Sequence, residues 1–570
     1  MLNKLNGFDE YMEKILVDWN VPGVGIGIIK DQELIFAKGY GYRDYGNKLP
    51  FTPATLFPIA SNTKLFTAIA AGLLVDEGKL NFDKPIRDAV PSLRFHNNTL
   101  NDAVTLRDML AHRTGITRHD MIWYKSDFTP RELFERLKFM EPVVPLRQTF
   151  IYNNMMYEAV GYMIELLTGR TWSQFVQEQI LNPLQMKDTV FSIPEMLKKP
   201  DFGVPFTEKR DSTELHQIPY YEDKISSSPA GAIFSSLQEM SRWLIALMNE
   251  GMIAGKQVIP NSILKATLEP AIALPNTAAE MRGFWELLNN NYGMGRHTAS
   301  YRGHLLTFHG GAINGFHSQV SFMPREKIGV VTFIIGNHCA MLRDVISYNI
   351  YERLLGLDHT PWGVRMLDIV SKAKQADQEA RAKSGGNKVP NTSPSHALVD
   401  YAGVYEHPAY GVLNIRLVDE QLHYVFREAA LPLSHFHYDR FDTPNDEIHG
   451  QWSVNFSTNP LGDIDRAVMS LDQSEAIFVR LPEKPDDALL KQLVGTYQTA
   501  TGYKLQVNLK EGELWLENPQ APKDKLIPYK GLQFRVPQFS DTVYEFISVE
   551  GEIKLLKQTQ PYGEFVYTRT

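Results

Sequence analysis

One four-residue segment, Ser61-Asn62-Thr63-Lys64, pairs a hydroxyl with an amine at a spacing that suits nucleophilic catalysis. On a helix, residues three apart lie on the same face, so the lysine amine can reach the serine hydroxyl. The first turn of a helix also carries the positive end of the helix dipole, which favours an alkoxide or an oxyanion. A serine in this setting can lose its proton near neutral pH, and the segment therefore predicts a nucleophile.

The Ser-x-x-Lys spacing is not specific by itself, and its surroundings separate the candidates. Ser262 with Lys265 precedes a mixed helical pattern, and Ser371 with Lys374 lies in a charged stretch. Only Ser61 follows an extended apolar run and opens a helical pattern that is apolar on almost every side, which would hold the pair rigidly. The alternative for Ser61 is an ordinary helix cap followed by a surface lysine.

A second candidate is the triplet Tyr152-Asn153-Asn154 at the start of another apolar helical pattern. A phenol whose pKa is depressed by a neighbouring lysine could take the serine proton and later return it to a leaving group. The Asn154 amide could hydrogen-bond both a substrate carbonyl and the lysine. Tyr45-Gly46-Asn47 has the same form, but it lies at the end of a strand pattern, where a structural role fits better.

The third candidate is His309-Gly310-Gly311, which lies between two strand patterns. Paired glycines let a substrate backbone approach the edge of a strand, because no side chain stands in the way. Taken alone, the triplet is explained as well by a turn with a hydrogen-bonded surface histidine.

Together and in this order, the three motifs resemble those of the serine β-lactamase and penicillin-binding-protein superfamily, nearest its class C β-lactamase-like branch. That branch includes D-aminopeptidases, D-alanyl-D-alanine carboxypeptidases and carboxylesterases. The resemblance covers about residues 8–355 and includes the segments VTLRDMLAHRTGI and HGGAINGFHSQVSFMPREKIGVVTFIIGN. The C-terminal part more weakly resembles the lipocalin-like appendage of some members.

The resemblance implies a role for each motif residue. Ser61 would be the acylated nucleophile, with Lys64 and Tyr152 as a coupled acid/base pair in which the formal base stays open. Asn154 would bind substrate. The backbone N–H groups of Ser61 and Ala312 would form the oxyanion hole.

The third motif would bind substrate through His309, Gly310 and Gly311, and here the chain departs from the family. β-Lactamases usually carry Lys-Thr-Gly, whose cation helps to bind a substrate carboxylate, whereas histidine is mostly neutral near pH 7. We therefore expect a serine acyl hydrolase of peptidase or carboxylesterase type, with at most weak β-lactamase activity. The alternative is a penicillin-binding or ligand-sensing protein that acylates without efficient turnover.

Composition limits the partners and cofactors. The 570 residues include 58 Lys and Arg against 66 Asp and Glu, a formal net charge of −8 that predicts no nucleic-acid partner. The substrate is expected to be a small molecule or a short peptide or ester. We expect no cofactor and no metal, because the clusters His304, His309 and His317, and His112, His119 and Asp120, lack metal-ligand spacing. A homo-oligomer formed through the C-terminal domain stays open.

The N-terminus and the apolar runs indicate the compartment only in part. Residues 1–16 carry no signal-peptide pattern, and the apolar stretch Leu65–Val75 is too short to cross a bilayer. A soluble, cytoplasmic protein is expected, although a chain whose leader had been removed, and which acts outside the cytoplasm, would look the same. The single cysteine, Cys339, cannot form an intrachain disulfide.

The patterns that must position the motifs predict an α/β (α+β) domain with an antiparallel sheet, flanking helices and a helical subdomain. A hairpin is expected over 23–40, a buried helix over 61–77, and helices near 105–112, 154–168, 171–180, 238–249 and 341–355. Strands are expected at 300–308, 316–323 and 328–335. Strands at both ends and helices between them suggest one sheet built from both ends of the domain.

Beyond this domain, residues 359–397 are expected to form a helical and flexible linker. Residues 398–570 alternate with period 2 and contain a repeat at an offset of 92, which brings Gly403-Val404-Tyr405 onto Gly495-Thr496-Tyr497. The copies, 398–484 and 488–570, are predicted to close one antiparallel lipocalin-like barrel, with a pair of small sheets as the alternative. The hydrolase domain is then 1–358.

Overall fold

The computed structural model describes residues 2–221, 228–274, 283–383, 385–447, 450–471, 474–483, 485–518 and 522–570. Contacts divide the chain into two units, one of residues 1–386 with 471–474 and one of residues 387–470 with 475–570. Within the described ranges, none of the helices combines the length and the apolar composition that a membrane span needs.

The first unit contains an antiparallel sheet to which both ends of the unit contribute. Its strands, in chain order, are β1 (Gly23–Lys30), β2 (Glu33–Asp44), β3 (Leu49–Pro50), β4 (Phe57–Pro58), β5 (Phe206–Glu208), β6 (Leu215–Gln217), β7 (Phe234–Ser235), β8 (Met252–Ile253), β9 (Lys256–Gln257), β10 (Ile272–Ala273), β11 (Leu287–Tyr292), β12 (His297–Tyr301), β13 (His304–Ile313), β14 (Phe316–Met323) and β15 (Ile328–Ile335). The described strands of the main sheet run in the order β10-β11-β12-β13-β14-β15-β1-β2-β3, and the short pairs β4–β7, β5–β6 and β8–β9 lie outside it.

The helices of this unit fall mostly between β4 and β10 and after β15. They are α1 (Phe8–Asp18), α2 (Thr63–Asp76), α3 (Asn98–Ala103), α4 (Leu106–Leu110), α5 (Asp120–Trp123), α6 (Pro130–Arg136), α7 (Asn154–Thr168), α8 (Trp172–Val176), α9 (Ile193–Met196), α10 (Leu237–Met248), α11 (Asn261–Leu268), α12 (Leu342–Leu355) and α13 (Trp362–Ala382). Short 3₁₀ turns occur at Leu2–Leu5, Ala60–Asn62, Ile86–Asp88, Leu137–Phe139 and Asn337–Cys339, and a π turn at Gln177–Leu181.

The predicted sheet from both ends of the domain is confirmed, because β1 pairs with β15 from Gly23 opposite Ile335 to Lys30 opposite Ile328. One predicted strand differs. The apolar run 300–308 spans a hairpin, in which β12 and β13 pair from His297 opposite Phe308 to Tyr301 opposite His304. The reversal falls at Arg302-Gly303, where both residues have positive φ values of 49° and 90°.

The buried core on one face of the sheet joins α1, α12 and α13 to the strands through a continuous cluster of apolar side chains. Helix α13 therefore belongs to the first unit rather than to a linker that begins at 359. Its Trp362 is buried and donates from Nε1 to the Tyr301 hydroxyl at 3.0 Å, and Arg365 pairs with Glu286 at 2.7 Å. These contacts move the boundary between the units from the predicted 358 to about 386.

The second unit contains two separate β structures, one for each copy of the repeat. The first copy contributes α14 (Leu398–Tyr401), β16 (Gly403–His407), β17 (Gly411–Val418), β18 (Gln421–Phe426), β19 (Ala429–Pro432), β20 (Ser434–His437), β21 (Arg440–Asp442), β22 (Ser453–Thr458), β23 (Ile464–Leu471) and β24 (Ser474–Arg480). The second copy contributes α15 (Asp487–Leu493), β25 (Gly495–Gln498), β26 (Lys504–Lys510), β27 (Glu513–Glu517), β28 (Asp524–Lys530), β29 (Gln533–Val536), β30 (Phe539–Val549), β31 (Glu552–Gln560) and β32 (Gly563–Arg569).

The predicted closed antiparallel barrel is present, but the expectation that both copies build it together is wrong. Strands β25–β32 close the barrel alone, and the described strands of the first copy form their own sheet in the order β19-β18-β17-β16-β24-β23-β22-β21-β20. Period-2 alternation assigns each residue to a face but does not identify the neighbouring strand. Each copy pairs within itself because hairpins connect its consecutive strands.

The repeat itself is preserved in detail at the start of each copy. Tyr405 donates its hydroxyl to the carbonyl oxygen of Tyr401, and Tyr497 donates to that of Leu493, both at 2.8 Å and four residues upstream. The four tyrosine and leucine side chains are buried. The same short connection from helix to strand therefore begins both β structures.

Candidate active site

Ser61 lies in the 3₁₀ turn Ala60–Asn62 that connects β4 to α2, two residues earlier than the helix itself begins. Ala60 has a φ of 47°, a left-handed conformation that costs energy for a residue with a Cβ atom and often occurs at functional sites. The turn is held by Ser318, whose hydroxyl donates to the carbonyl oxygen of Ile59 at 2.7 Å and accepts from Asn62 Nδ2 at 2.9 Å. The serine is therefore presented at the beginning of a buried helix.

Lys64 is fully buried, and its amine is surrounded by uncharged groups. Nζ donates to Asn154 Oδ1 at 2.7 Å and to the carbonyl oxygen of Ala230 at 2.8 Å, and it lies 3.3 Å from Ser61 Oγ. Burial lowers the pKa of Lys64 to about 7, although the charges of Glu158 and Asp120 act in the opposite direction. A neutral amine has two N–H donors, which match the two short bonds, and its lone pair is left for the serine hydroxyl.

Tyr152 lies on the other side of the same amine, with its ring centroid 4.9 Å from Lys64 Nζ. Burial raises the pKa of the phenol, while a hydrogen bond with Ser61 and the charge of Arg118 act to lower it. The expectation that the lysine depresses the phenol pKa is therefore wrong. The lysine is the group whose pKa moves towards neutrality, because its ammonium form is the one that burial penalises most.

Asn154 connects the lysine to a carboxylate that sequence reasoning missed. Its Oδ1 accepts from Lys64, and its Nδ2 donates to Asp120 Oδ1 at 2.9 Å. Asp120 also accepts from Trp123 Nε1 at 2.8 Å and from Arg118 Nε at 2.7 Å. Because a carboxylate only accepts, Asp120 fixes which end of the Asn154 amide faces the lysine. In the sequence, Asp120 stood out only as a neighbour of two histidines.

His112 is a second residue to which the sequence assigned no role, since it occurred there only in VTLRDMLAHRTGI and in a cluster that lacks metal-ligand spacing. It is fully buried, and its ring centroid lies 4.3 Å from that of Tyr152. Nδ1 accepts from the backbone N–H of Asn153 at 3.0 Å, and the backbone carbonyl accepts from Ile151 at 2.9 Å. Burial and the nearby Lys64 charge lower its pKa well below the usual value, so the ring is neutral. This histidine holds the segment that carries Tyr152.

His309 lies within strand β13 rather than at a turn, and both of its ring nitrogens have protein partners. Nδ1 is 2.7 Å from the carbonyl oxygen of Gly310, which can only accept, so Nδ1 carries the proton. Nε2 then accepts from the Tyr292 hydroxyl at 3.0 Å. Burial lowers the pKa of His309 well below its usual value. His309 therefore packs the site as a neutral ring, and its nitrogens are occupied.

The two glycines of the third motif make room for different neighbours. A Cβ atom at Gly311 would lie 2.2 Å from the carbonyl oxygen of Ile59, so a glycine is required for β13 to pack against the Ser61 turn. A Cβ atom at Gly310 would lie 2.8 Å from Arg343 Cζ. The Arg343 guanidinium therefore places a cation beside the third motif, which the neutral His309 does not provide. Its Nε is 3.9 Å from Asp344 Oδ2.

Most of these groups line one cavity of about 940 Å³. Its lining includes Ser61, Tyr152, Asn154, His309, Gly310, Ala312 and Arg343. Lys64 lies beneath the lining, and Gly311 faces the turn instead. Strand β12 begins at His297, opposite Phe308, so the described residues pair β13 from His309 to Ile313 with β14 only and leave its other edge unpaired. The other two Ser-x-x-Lys pairs, at Ser262 and Ser371, are exposed.

The family comparison agrees with this fold. The beta-lactamase family model matches residues 8–353, well over half of the chain, and the protein belongs to that family. A domain of unknown function, DUF3471, matches residues 387–478. An "Unguisins hydrolase ungD" of Aspergillus violaceofuscus is 27% identical over 497 residues, which cover 81% of this chain and 87% of the fungal protein.

Solved structures share the fold at low sequence identity. An octameric penicillin-binding protein homologue from Pyrococcus abyssi superposes with a TM-score of 0.55 at 19% identity, over 90% of this chain and 98% of that one. A D-amino acid amidase from Ochrobactrum anthropi SV3 superposes with a TM-score of 0.50 at 20% identity, over 61% of this chain and 99% of the amidase. The predicted superfamily and fold class are confirmed.

Proposed function

We propose that this protein is a serine acyl hydrolase that cleaves amide or ester bonds through an acyl-enzyme on Ser61. The observation that carries the proposal is the placement of the Lys64 amine. The amine hydrogen-bonds the oxygens of Asn154 and Ala230, and its third hydrogen-bonding position faces Ser61 Oγ at a distance of 3.3 Å. Ser61 lies in the wall of a large cleft. A buried amine with a pKa of about 7 is matched to general-base work at neutral pH.

The steps follow from this arrangement. Lys64 takes the Ser61 proton as Oγ bonds to the substrate carbonyl carbon, and the oxyanion that forms is held by the N–H groups of Ser61 and Ala312. The bond to the leaving group then breaks, and the leaving group takes the proton from Lys64 through the hydroxyl of Tyr152. In the second step, Lys64 takes a proton from water as the water oxygen bonds to the acyl carbon. The bond from that carbon to Ser61 Oγ then breaks, Oγ takes the proton back from Lys64, and the acid is released. Tyr152 stays protonated between transfers because burial raises its pKa.

The position of Arg343 favours substrates that carry an anionic group on the leaving-group side of the bond that is cleaved. Its guanidinium lies against Gly310 in the cleft, so a carboxylate aligned with the free edge of β13 would find a cation there. This supports peptides with a free C-terminus, and also β-lactams, as candidates beside neutral esters. The names of two similar proteins, a hydrolase and a D-amino acid amidase, are consistent with amide cleavage.

The direct test is active-site labelling followed by turnover. A fluorophosphonate should add to the wild type once, at Ser61, as read by intact and peptide mass spectrometry, and Ser61→Ala should neither label nor hydrolyse p-nitrophenyl esters and D-amino-acid anilides. Ser262→Ala is the matched control, because it changes an exposed serine with the same Ser-x-x-Lys spacing. Full activity in Ser61→Ala would exclude Ser61 as the nucleophile.

The sensing alternative makes a different kinetic prediction. A protein that acylates and stalls shows a burst of product equal to the enzyme concentration, and its acyl adduct persists in intact mass spectra. A hydrolase shows continued turnover and only a transient adduct. The water-activating amine beside Ser61 favours turnover, because the same base serves both steps.

A further inference from the structure

The cleft beside Ser61 carries far more apolar surface than the chemical steps require. One group of aromatic side chains in its lining consists of Trp123, Tyr124 and Tyr221, whose ring centroids are 5.2–6.3 Å apart. Ligand sites are typically apolar walls with few polar groups that fix orientation, and a cavity of about 940 Å³ is of the size that takes a large ligand.

A second apolar group in the same lining comes from α9 and its neighbours. Phe191 and Ile193 stand at the start of this helix, and Tyr220 stacks on Phe316 with ring centroids 6.3 Å apart. Tyr220 is also fixed at its polar end, because its hydroxyl donates to the carbonyl oxygen of Gly203 at 3.0 Å. Rigid aromatic rings give a large contact area at a low cost in side-chain entropy.

Trp123 is the member of this lining that is tied directly to the catalytic groups. Its indole N–H donates to Asp120 Oδ1 at 2.8 Å, and the same oxygen accepts from the Asn154 amide at 2.9 Å. Asn154 in turn accepts from Lys64 at 2.7 Å. A group that packs on the indole therefore lies beside the amide that contacts the base. The other cation of the cleft, Arg343, lies at Gly310.

We propose that the substrate carries a large aromatic or branched apolar side chain on its acyl side, bound against Trp123, Tyr124, Phe191, Ile193 and Phe316, and that Trp123 determines this specificity. The inference rests on the proposed acyl hydrolysis. The acyl group is the part that remains on Ser61 through both steps, so its side chain belongs beside the Asp120–Asn154–Lys64 connection. The leaving group belongs beside Arg343.

The test varies the acyl group and keeps the leaving group constant. For the p-nitrophenyl esters of acetate, 3-methylbutanoate and 3-phenylpropanoate, kcat/KM should rise along the series by roughly 30-fold or more. Trp123→Ala should reduce the ratio of kcat/KM between the largest and the smallest ester by roughly 10-fold, whereas Trp123→Phe should retain most of the wild-type ratio. Trp285→Ala is the matched control, because Trp285 is 67% exposed and lies outside the cleft lining.

The outcomes separate this inference from the function on which it depends. If fluorophosphonate labels Ser61 and all three esters are hydrolysed with equal efficiency, the apolar subsite is overturned and the acyl hydrolase stands. If Trp123→Ala leaves the ratio unchanged, Trp123 is not the determinant. A readout without turnover is inhibition by boronic acids, for which 2-phenylethylboronic acid should bind roughly 30-fold more tightly than methylboronic acid. Absence of both labelling and hydrolysis would refute the two proposals together.

Discussion

Asp108 and Lys64 of the first unit are both fully buried, but the fold surrounds their side chains with opposite kinds of partner. Asp108 is paired with Arg113 at 2.6 Å and with Arg147 at 2.7 Å, and it caps helix α4 by accepting from the Thr105 backbone at 2.9 Å. Among the residues that the structure describes, the hydrogen-bond partners of the Lys64 amine are neutral. The surroundings of Asp108 stabilise its charged form, whereas the surroundings of Lys64 favour the neutral amine.

The pKa values follow this difference. Burial alone would raise the pKa of Asp108, but the bonds from Arg147 and Thr105 and the charge of Arg113 hold it below its usual range. For Lys64, burial prevails and lowers the pKa to about 7. A buried ionic residue that is compensated therefore supports the fold, whereas one that is left uncompensated can exchange protons with a substrate.

Replacing Lys64 by Met should have the largest effect on activity. We expect kcat/KM to fall by roughly 1,000-fold, because the base is lost and Tyr152, whose pKa is raised by burial, is a poor replacement for it. The free energy of unfolding of the wild type should rise between pH 7 and pH 10 by more than that of the variant, because over this range the unfolded wild type binds a proton on Lys64 that the folded protein has lost. Ester hydrolysis and urea unfolding measure the two effects. An equal dependence of the two unfolding free energies on pH would contradict the assignment of Lys64 as an uncompensated charge.

Replacing Asp108 by Asn should show the reverse pattern. The free energy of unfolding should fall by about 3 kcal/mol, because the partly buried Arg113 and the exposed Arg147 lose the buried carboxylate that they share and the helix loses its cap. Activity per folded molecule at low temperature should stay within roughly 3-fold of the wild type. The exposed pair Arg131–Glu135 offers the control, since Glu135→Gln should change stability by less than about 0.5 kcal/mol.

Replacing His112 by Phe tests the neutral ring that holds the Tyr152 segment. Phenylalanine keeps the aromatic contact but removes the acceptor for the Asn153 N–H, so we expect kcat to fall by roughly 30-fold with little change in KM. His112→Asn keeps an acceptor and tolerates the positive φ of 57°, and it should recover part of kcat. Equal losses in both variants, with a parallel loss of stability, would indicate a purely structural histidine.

The smallest expected effect is a shift in the pH profile. Because the neutral amine is the active form, kcat/KM should rise with pH and level off above a midpoint of about 7. The Asp120 charge raises the pKa of Lys64, so Asp120→Asn should move this midpoint to lower pH. Glu135→Gln should leave it unchanged. A midpoint that moves upwards, or an activity that falls with rising pH through 7, would contradict the role of Lys64 as the base.

Much of this site was accessible from the sequence because its central residues occur in short motifs. The predictions for Ser61, Lys64 and Tyr152 rest on local spacing and on their order along the chain. Asp120 and Arg343 could not be found in this way, because they reach the cleft from segments 59 and 282 residues beyond Ser61 and carry no motif of their own. Burial set the direction of the pKa shifts, and burial at a site depends on the tertiary fold.

The fold shows the same division between local and non-local information. The boundaries of β14, β15 and α7 match their sequence patterns, because a long apolar run or a capped amphipathic run determines each one. Whether α13 packs on the first unit depends on the pocket that receives Trp362, which only the fold creates. The division of the repeat into a nine-stranded sheet and a closed barrel depends on strand pairing, which alternation does not encode.

The matched tyrosine contacts at Tyr405 and Tyr497 indicate how the C-terminal unit arose. The same starting helix and the same anchoring phenol recur 92 residues apart, which is the pattern expected when one module of roughly 90 residues is copied in tandem and its strands then diverge. The second copy closes into a cylinder, and the described strands of the first copy form a sheet of their own. Engineered shortening of this tail should therefore proceed in whole modules, with the cut falling between Arg480 and Asp487, and it would remove the hydrogen bonds that join Tyr529 of the second copy to Asn459 and Asp463 of the first.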